Sequence, residues 1–443
     1  MPMRIVPILL IGCLMLSCSL SAAAQRDPLL QLVDMLKDNG SLTTAQHALL
    51  TRAIEDRLVI QAQPSTPPND AEVIVRSEGG LEATTIDGEF SAKLGGTINL
   101  DAASYSEDRN QLGSGTELRR AKLALEGRLL GDWLYQLEVD FADNEVDLGD
   151  AYLAFVAGPQ WRIKIGQHKE PFGLERLTGS QHLTFMERAL PNVLTPGRSI
   201  GVSAGWLGQQ TSVTGGLFAE HADSDPDDEF NEGWAATGRI SVVPFADDRR
   251  TLHLGAAGSY RKPDQEDELS IRTRAETHIT GVRHLDTGKI GNVSSIRRTG
   301  LEAAWAEGPA SLQGEWFRSD IERSSGDPSL TFDGWYAQAS WMLTGESRNY
   351  DLDDGRFKRP RPIHPHGAWE LAGRISELDL NELDINGGQQ RNITLGVNWY
   401  INRYLRLMAN YIHVDSDIDA DADGAVAGDD DFDVMQFRMQ ADF

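Results

Sequence analysis

Met435-Gln-Phe437-Arg-Met439-Gln-Ala441-Asp-Phe443 is the stretch that decides the fold. Apolar side chains take every second position up to the terminal phenylalanine, with Arg438, Gln440 and Asp442 between them. A period of two puts one strand face against an apolar medium and the other against a polar one. A strand running to the last residue suits the closing strand of a transmembrane barrel, where no chain can hang free in lipid. The expectation is an outer-membrane β-barrel, and therefore a pore.

The same alternation recurs upstream. Phe90, Ala92, Leu94, Gly96, Ile98, Leu100 and Ala102 alternate with Ser91, Lys93, Gly95, Thr97, Asn99 and Asp101. Ala121, Leu123, Leu125 and Leu129 alternate with Arg120, Lys122, Glu126 and Arg128. Trp133 to Phe141, Trp161 to Ile165 and Ile393 to Ile401 follow the same rule. A soluble sheet with one wet face would alternate too. Strands of about ten residues with full charges on the polar face suit an aqueous barrel interior better. Roughly 350 residues at about 22 per strand and connection predict about 16 strands, enough to keep a lumen open.

The N-terminus reads as a secretory signal over residues 1–24. Arg4 supplies the positive region, Ile5 to Leu16 the apolar region, and Ala22-Ala23-Ala24 the cleavage site. Leu10-Ile11-Gly12-Cys13 offers a rival lipoprotein reading behind a short apolar stretch. Cys13 and Cys18 are the only cysteines, so the mature chain has no thiol chemistry. Beyond the signal no apolar run reaches the roughly 18 residues of a helical span. A closed barrel is then the only membrane-spanning option. Its weak strand signals fit a mean hydropathy of −0.36.

Residues 25–60 read as a short periplasmic helical segment, with Leu29, Leu32, Leu36 and then Leu49, Leu50, Ile54 at helical spacing. Residues 61–85, opening with Pro64, Pro67 and Pro68, read as a linker, and residues 86–443 as the barrel. The formal charge of −26 is uneven. Residues 223–232 hold six acids and residues 415–433 nine aspartates, with no base in either run. Such runs are solvated loops. Screening cuts exposed charges off beyond about 8 Å, so selectivity depends on the charges lining the lumen. No nucleic-acid partner is expected for so acidic a chain.

Several segments resemble the phosphate-selective porin O/P family of Gram-negative outer membranes. They are Leu118-Arg-Arg-Ala-Lys-Leu-Ala-Leu-Glu-Gly127, Asp150-Ala-Tyr-Leu153, Lys164-Ile-Gly-Gln-His-Lys-Glu-Pro-Phe-Gly-Leu174, Phe185-Met-Glu-Arg188, Pro196-Gly-Arg-Ser-Ile-Gly201, Gly367-Ala-Trp-Glu-Leu371, Asn398-Trp-Tyr400 and the terminal strand. The resemblance implies an all-β, transmembrane antiparallel barrel of 16 strands, a homotrimer, and loops folded inward to narrow the pore. It also implies a constriction of Lys93, Arg119, Arg120, Lys122, Asp150, Arg176, Ser180 and Arg188. Lys122 stands where the family often has an aromatic residue, Arg176 where some members have lysine, and Gly179-Ser180 where they have two serines.

The chemistry of these residue types agrees with that implication. A partly dehydrated phosphate needs several converging donors. Arginine meets two oxygens with a planar fork and lysine offers a point charge. A ring of such groups selects anions but must also release them. For any single cation the alternative is a lumen charge paired to a neighbour such as Glu117 or Glu126. Arg272-Thr-Arg274 has the spacing that stacks two guanidinium groups on one strand face. The resemblance makes these, with Arg283, an anion-steering ladder; an ordinary exposed strand face is the alternative.

Arg356-Phe-Lys-Arg-Pro-Arg361 with His364-Pro-His366 faces the lumen or lies in an inserted loop, and is a poor metal signal. Asp419, Asp421, Asp423 and Asp430 take the first, third, fifth and twelfth positions of a calcium-loop pattern. A solvated loop bridged to lipopolysaccharide by divalent cations is the competing reading. The function expected is passive uptake of phosphate, pyrophosphate or polyphosphate, with no cofactor and no catalysis. A general anion or small-solute porin is the alternative within the fold. A barrel lipase or protease, or a purely structural or adhesive barrel, stands outside it. No G-x-S-x-G and no H-E-x-x-H occurs in the chain.

Overall fold

A computed structural model describes residues 73–443 except 78, 143–144, 223–231, 248, 264–268 and 418–427, with scattered positions between 34 and 52. The signal segment, most of the helical segment, residues 61–72, the bulk of the acidic run at 223–232 and Asp419, Asp421 and Asp423 lie outside the described residues. Between 34 and 52 every described position except Thr43 is helical, and His47 Nε2 lies 2.8 Å from Asp34 Oδ1.

Sixteen strands build the barrel. They are β1 Ser91–Ser106, β2 Gly115–Leu129, β3 Trp133–Asp140, β4 Asp147–Ala157, β5 Trp161–Lys169, β6 Arg198–Leu207, β7 Thr211–Phe218 and β8 Trp234–Ala246. The second half comprises β9 Arg250–Lys262, β10 Val293–Glu307, β11 Ala310–Arg323, β12 Leu330–Met342, β13 Ala368–Glu382, β14 Ile385–Tyr400, β15 Leu405–Asp417 and β16 Asp430–Asp442. Each pairs antiparallel with the next, and β16 pairs with β1 to close the sheet. Closure leaves no open edge, the condition for a sheet in lipid.

The terminal strand bears out the period-two reading. Phe437 is 52 % exposed on the outer face, while Gln436, Arg438 and Gln440 are buried inside. Phe443 completes the seam: its N–H donates to Gly96 O (3.0 Å), and Gly96 N–H donates to Phe443 O (2.8 Å). A Cβ on Gly96 would lie 2.4 Å from Lys122 O and 2.6 Å from the Phe443 ring, so the seam needs glycine there.

At one end the connections are short, at 130–132, 158–160, 208–210, 247–249, 308–309 and 401–404. Trp133, Trp161, Trp341 and Trp369 point outward at this rim. Short turns and an aromatic girdle mark the periplasmic side. Residues 343–367 break the pattern as a long periplasmic insertion carrying the small hairpin Asn349–Asp351/Arg356–Lys358. At the other end, residues 170–197 and 263–292 are long and fold inward. Their apolar side chains Phe172, Leu190, Leu194, Ile271, Leu285 and Ile290 pack on wall residues Phe317, Ile321, Phe332 and Leu378. The lumen beside these strands is thus filled by a small hydrophobic core.

The linker expected over 61–85 is corrected at its end. Val73–Arg76 and Leu81–Thr85 form a hairpin that extends the sheet onto the start of β1. The β-branched run Val73-Ile-Val75 and the turn at Gly79-Gly80 explain it.

Candidate functional site

The barrel wall pins the inward loop 170–197 by its backbone. Arg406 donates to Leu183 O (2.8 Å), Asn398 to Thr184 O (2.9 Å), Arg374 to Glu187 O (3.1 Å) and Gln440 to Gln181 O (3.1 Å). Glu315 receives the backbone N–H of Glu175 at 2.8 Å, and Glu276 of the second loop accepts from Leu190 N (3.1 Å) and Thr394 Oγ1 (3.0 Å). All these anchors lie on β11–β16 or are held by them. The loop is therefore drawn to that side, and a cavity of about 1500 Å³ remains on the β1–β6 side.

All eight residues expected at the constriction line the cavity. Arg119 and Arg120 are adjacent, and strict alternation would turn one of them to lipid. A β-bulge resolves this: Asn99 pairs with Arg120 and Leu100 with Leu118, so Arg119 is extra and both face inward. Arg119 grips Glu187 at 3.0 and 3.2 Å, and Arg120 lies 3.5 Å from the same carboxylate. Arg438 joins it at 2.7 Å while also pairing with Asp101 at 2.6 Å. Burial raises the Glu187 carboxyl, but Arg119, Arg120 and Arg438 outweigh it and hold it well below the ordinary carboxylate range.

Lys122 pairs with Glu138 at 2.9 Å, and Arg198 joins Glu138 (3.1 Å) to Asp150 (2.7 Å). Two cations and two carboxylates cancel there. Lys93 sits nearer the periplasmic rim, 3.4 Å from Glu126, as the paired-charge alternative anticipated. Glu117 instead meets His278 at 2.9 Å.

Lys169, Arg176 and Arg188 differ from the rest. Lys169 donates to Arg176 O (2.9 Å), Arg176 to Pro196 O (3.1 Å), and Arg188 to Glu175 O (3.1 Å) and Thr178 O (2.8 Å). Among the described residues no carboxylate comes within ion-pair distance of any of the three. Burial and then the neighbouring Arg188 push the Arg176 guanidinium down to about 9. Gly197, whose Cβ would sit 3.4 Å from Arg176 Nη2, leaves room for that side chain. Ser180 adds a hydroxyl to the same wall.

The expected ladder is corrected. Arg272 is exposed in a two-residue strand paired with Leu285–Asp286, inside the loop 263–292 and not on a spanning strand. Arg274 and Arg283 lie in the same loop, and burial and then Arg283 push the Arg274 guanidinium down. None of the three lines the large cavity. The basic run Arg356 to Arg361 proves both inserted and lumen-facing. Arg356 pairs with Asp354 at 2.7 Å, and Arg359 pairs with Asp442.

Asp430, proposed as twelfth calcium ligand, opens β16 instead. Its oxygens accept from Arg109 N (3.0 Å), Asn110 Nδ2 (2.8 Å) and His284 Nε2 (3.0 Å), while the other three expected ligands lie outside the described residues. Among the described residues no group of acidic, histidine or cysteine side chains converges on a metal position.

Sequence reasoning missed Lys164, Lys169, Arg198 and the carboxylates Glu138 and Glu187. Lys164, whose Nζ lies 4.7 Å over the Tyr152 ring, was legible as an inward position of β5. Glu187 carried no periodic signal, being in a loop.

The net result is a lumen wall with more cations than acids. The family model for phosphate-selective porins O and P matches residues 92–443. Porin O of Pseudomonas aeruginosa is 27 % identical over 424 residues, covering 86 % of this chain and 95 % of that one. An uncharacterized protein of Caulobacter vibrioides is 31 % identical over 368 residues, covering 79 % and 73 %. The anion-selective porin from Comamonas acidovorans superposes with a TM-score of 0.51 at 14 % identity, over 80 % of this chain and all of that one. A loop-deletion form of OmpT from Vibrio cholerae gives a TM-score of 0.52 at 10 % identity over 80 % of this chain. At such identities the two structures speak for the fold alone.

Proposed function

The chain belongs to the phosphate-selective porin O and P family and is a multi-pass β-barrel porin of the bacterial outer membrane, and from that premise we propose that its lumen is a selective path for phosphate-type anions. The observation that carries the reading is the cluster of Lys169, Arg176 and Arg188 facing the cavity without a carboxylate partner. A unit-charge contact at 4 Å is worth about 4 kcal/mol at an effective dielectric near 20, before desolvation. Three cations held together with no counter-charge repel one another, and an entering oxyanion relieves that repulsion. Their unused N–H groups are the donors it meets.

The neutral network of Lys122, Arg198, Glu138 and Asp150 lies beside this cluster. Its carboxylates weaken the hold on an anion and favour release, as conduction requires. Orthophosphate, pyrophosphate and short polyphosphate are the permeants, movement is passive, and neither a cofactor nor a catalytic step enters. A homotrimer is proposed with the family. Contact with lipopolysaccharide is proposed with the outer-membrane location, where exposed Arg297, Arg318 and Arg391 stand paired with Glu322, Asp320 and Glu377.

The test is single-channel conductance of the refolded protein in a planar bilayer under a chloride gradient, with phosphate titrated in. An anion-selective reversal potential and block of chloride current by phosphate support the reading. Cation selectivity, or current indifferent to phosphate, would leave a general porin.

A further inference from the structure

We propose that His182 is the hydrogen-bond acceptor that reads the proton of a protonated oxyanion, so that the pore prefers hydrogen phosphate to an unprotonated oxyanion such as sulfate. The inference rests on the phosphate reading above and names the chemical form of the permeant.

His182 closes the short turn Ser180–His182 of the inward loop, whose shape is set by His182 N–H donating to Gly179 O at 2.8 Å. The turn cannot swing away, because Gln440 and Arg406 hold the carbonyls of Gln181 and Leu183 on either side. The ring lines the cavity. Its Nδ1 is shut off from solvent and has no partner, so Nε2 is the nitrogen that meets the lumen.

Arg356, Lys358 and Arg359 line the same cavity from the periplasmic insertion, paired with Asp354, Asp351 and Asp442, and Arg361 and Arg406, which among the described residues have no carboxylate partner, leave this edge net positive. Burial, then Arg356, Arg359, Lys358 and Arg406, push the imidazole down to about 3, so it is neutral wherever the pore operates. A neutral imidazole has one N–H and one lone pair. In a positive potential the stable tautomer turns its lone pair toward the cations and keeps the proton on the far nitrogen. The Nδ1–H then lacks an acceptor, a cost that the cations facing the Nε2 lone pair offset. Nε2 is therefore an acceptor.

Most carboxylates of this wall are already ion-paired, Glu126 with Lys93 among them, and Asp140 and Asp147 stand where β3 and β4 meet the extracellular end. Glu138 and Asp150 are taken by Lys122 and Arg198, Asp354 by Arg356, and Asp442 by Arg359. The wall cations are donors only. They bind phosphate and sulfate alike, because both present tetrahedral, negatively charged oxygens. Near neutral pH inorganic phosphate keeps at least one proton and sulfate keeps none. A proton facing only donors would be a penalty, while a proton facing Nε2 is a hydrogen bond.

The experiment measures half-blocking concentrations of phosphate and sulfate on chloride current through the native trimeric or monomeric pore and two variants. Native protein is expected to bind phosphate more tightly than sulfate. His182→Phe, which keeps the ring and loses the acceptor, should raise the phosphate value about fivefold, the equivalent of one net hydrogen bond, and leave sulfate unchanged. His182→Gln, which restores an acceptor oxygen, should keep the preference. Equal block of native protein by the two anions overturns the inference while leaving the anion site intact. So does a His182→Phe variant in which both values move together or neither moves. Absence of any phosphate block in native protein sinks the underlying reading instead, so the two failures are distinguishable.

Discussion

Replacing Arg176 by alanine is the sharpest probe of the uncompensated cluster. Its side chain makes one structural bond, to Pro196 O at 3.1 Å, whereas Arg188 holds two loop carbonyls, Glu175 O and Thr178 O. Arg176→Ala therefore removes a charge and little scaffold. Lys169 is undisturbed, since it donates to the backbone O of residue 176. The gross Coulomb term for a guanidinium–phosphate contact is about 4 kcal/mol at 4 Å and an effective dielectric near 20. Desolvation leaves about 1.5–3 kcal/mol for a hydrogen bond to a charged group. That range is about 10- to 150-fold in affinity. The assay is phosphate block of chloride current in a planar bilayer. Half-block should require at least about tenfold more phosphate, and the thermal unfolding midpoint should move little. Unchanged block with an intact barrel would refute the argument that missing counter-charges mark the site. A collapse in stability would show that the Pro196 bond, and not the charge, was the residue's role.

Glu138→Gln should free Lys122 and Arg198 from a carboxylate 2.9 and 3.1 Å away, tighten phosphate block and lower single-channel conductance in phosphate, checked in the same bilayer assay. Gly96→Val should obstruct closure, because its side chain meets Lys122 O and the Phe443 ring; refolding yield and the heat-resistant band on a gel measure this. The Glu187 carboxyl is depressed in the folded protein, so its contribution is present above the ordinary value of about 4.3 and is lost only as pH falls well below it. Barrel stability and anion selectivity should accordingly hold from pH 7 through the ordinary carboxylate range, and a loss centred near pH 4.3 would contradict the Arg119–Glu187–Arg438 network.

Much of this was legible in one dimension. Alternation such as Met435/Gln436 through Met439/Gln440 states which residues meet lipid and which meet water, because adjacent side chains of a strand point to opposite faces. Membrane topology, approximate strand number and the inward direction of Arg120 and Lys122 follow from it. The spacing of three between Leu118 and Ala121 even carries the trace of the bulge that turns Arg119 inward.

Periodicity is silent in loops, and the function sits on loops. Only the folded chain places Glu187 between Arg119 and Arg438, removes Arg272, Arg274 and Arg283 from the main cavity, and brings Arg356 of the insertion to Leu177 of the opposite loop at 3.0 Å. Local sequence by itself determined the barrel, since a strand's two faces are set by its own alternation. Tertiary structure alone decided which cations lack a counter-charge, since an ion pair depends on distances between segments far apart in the chain.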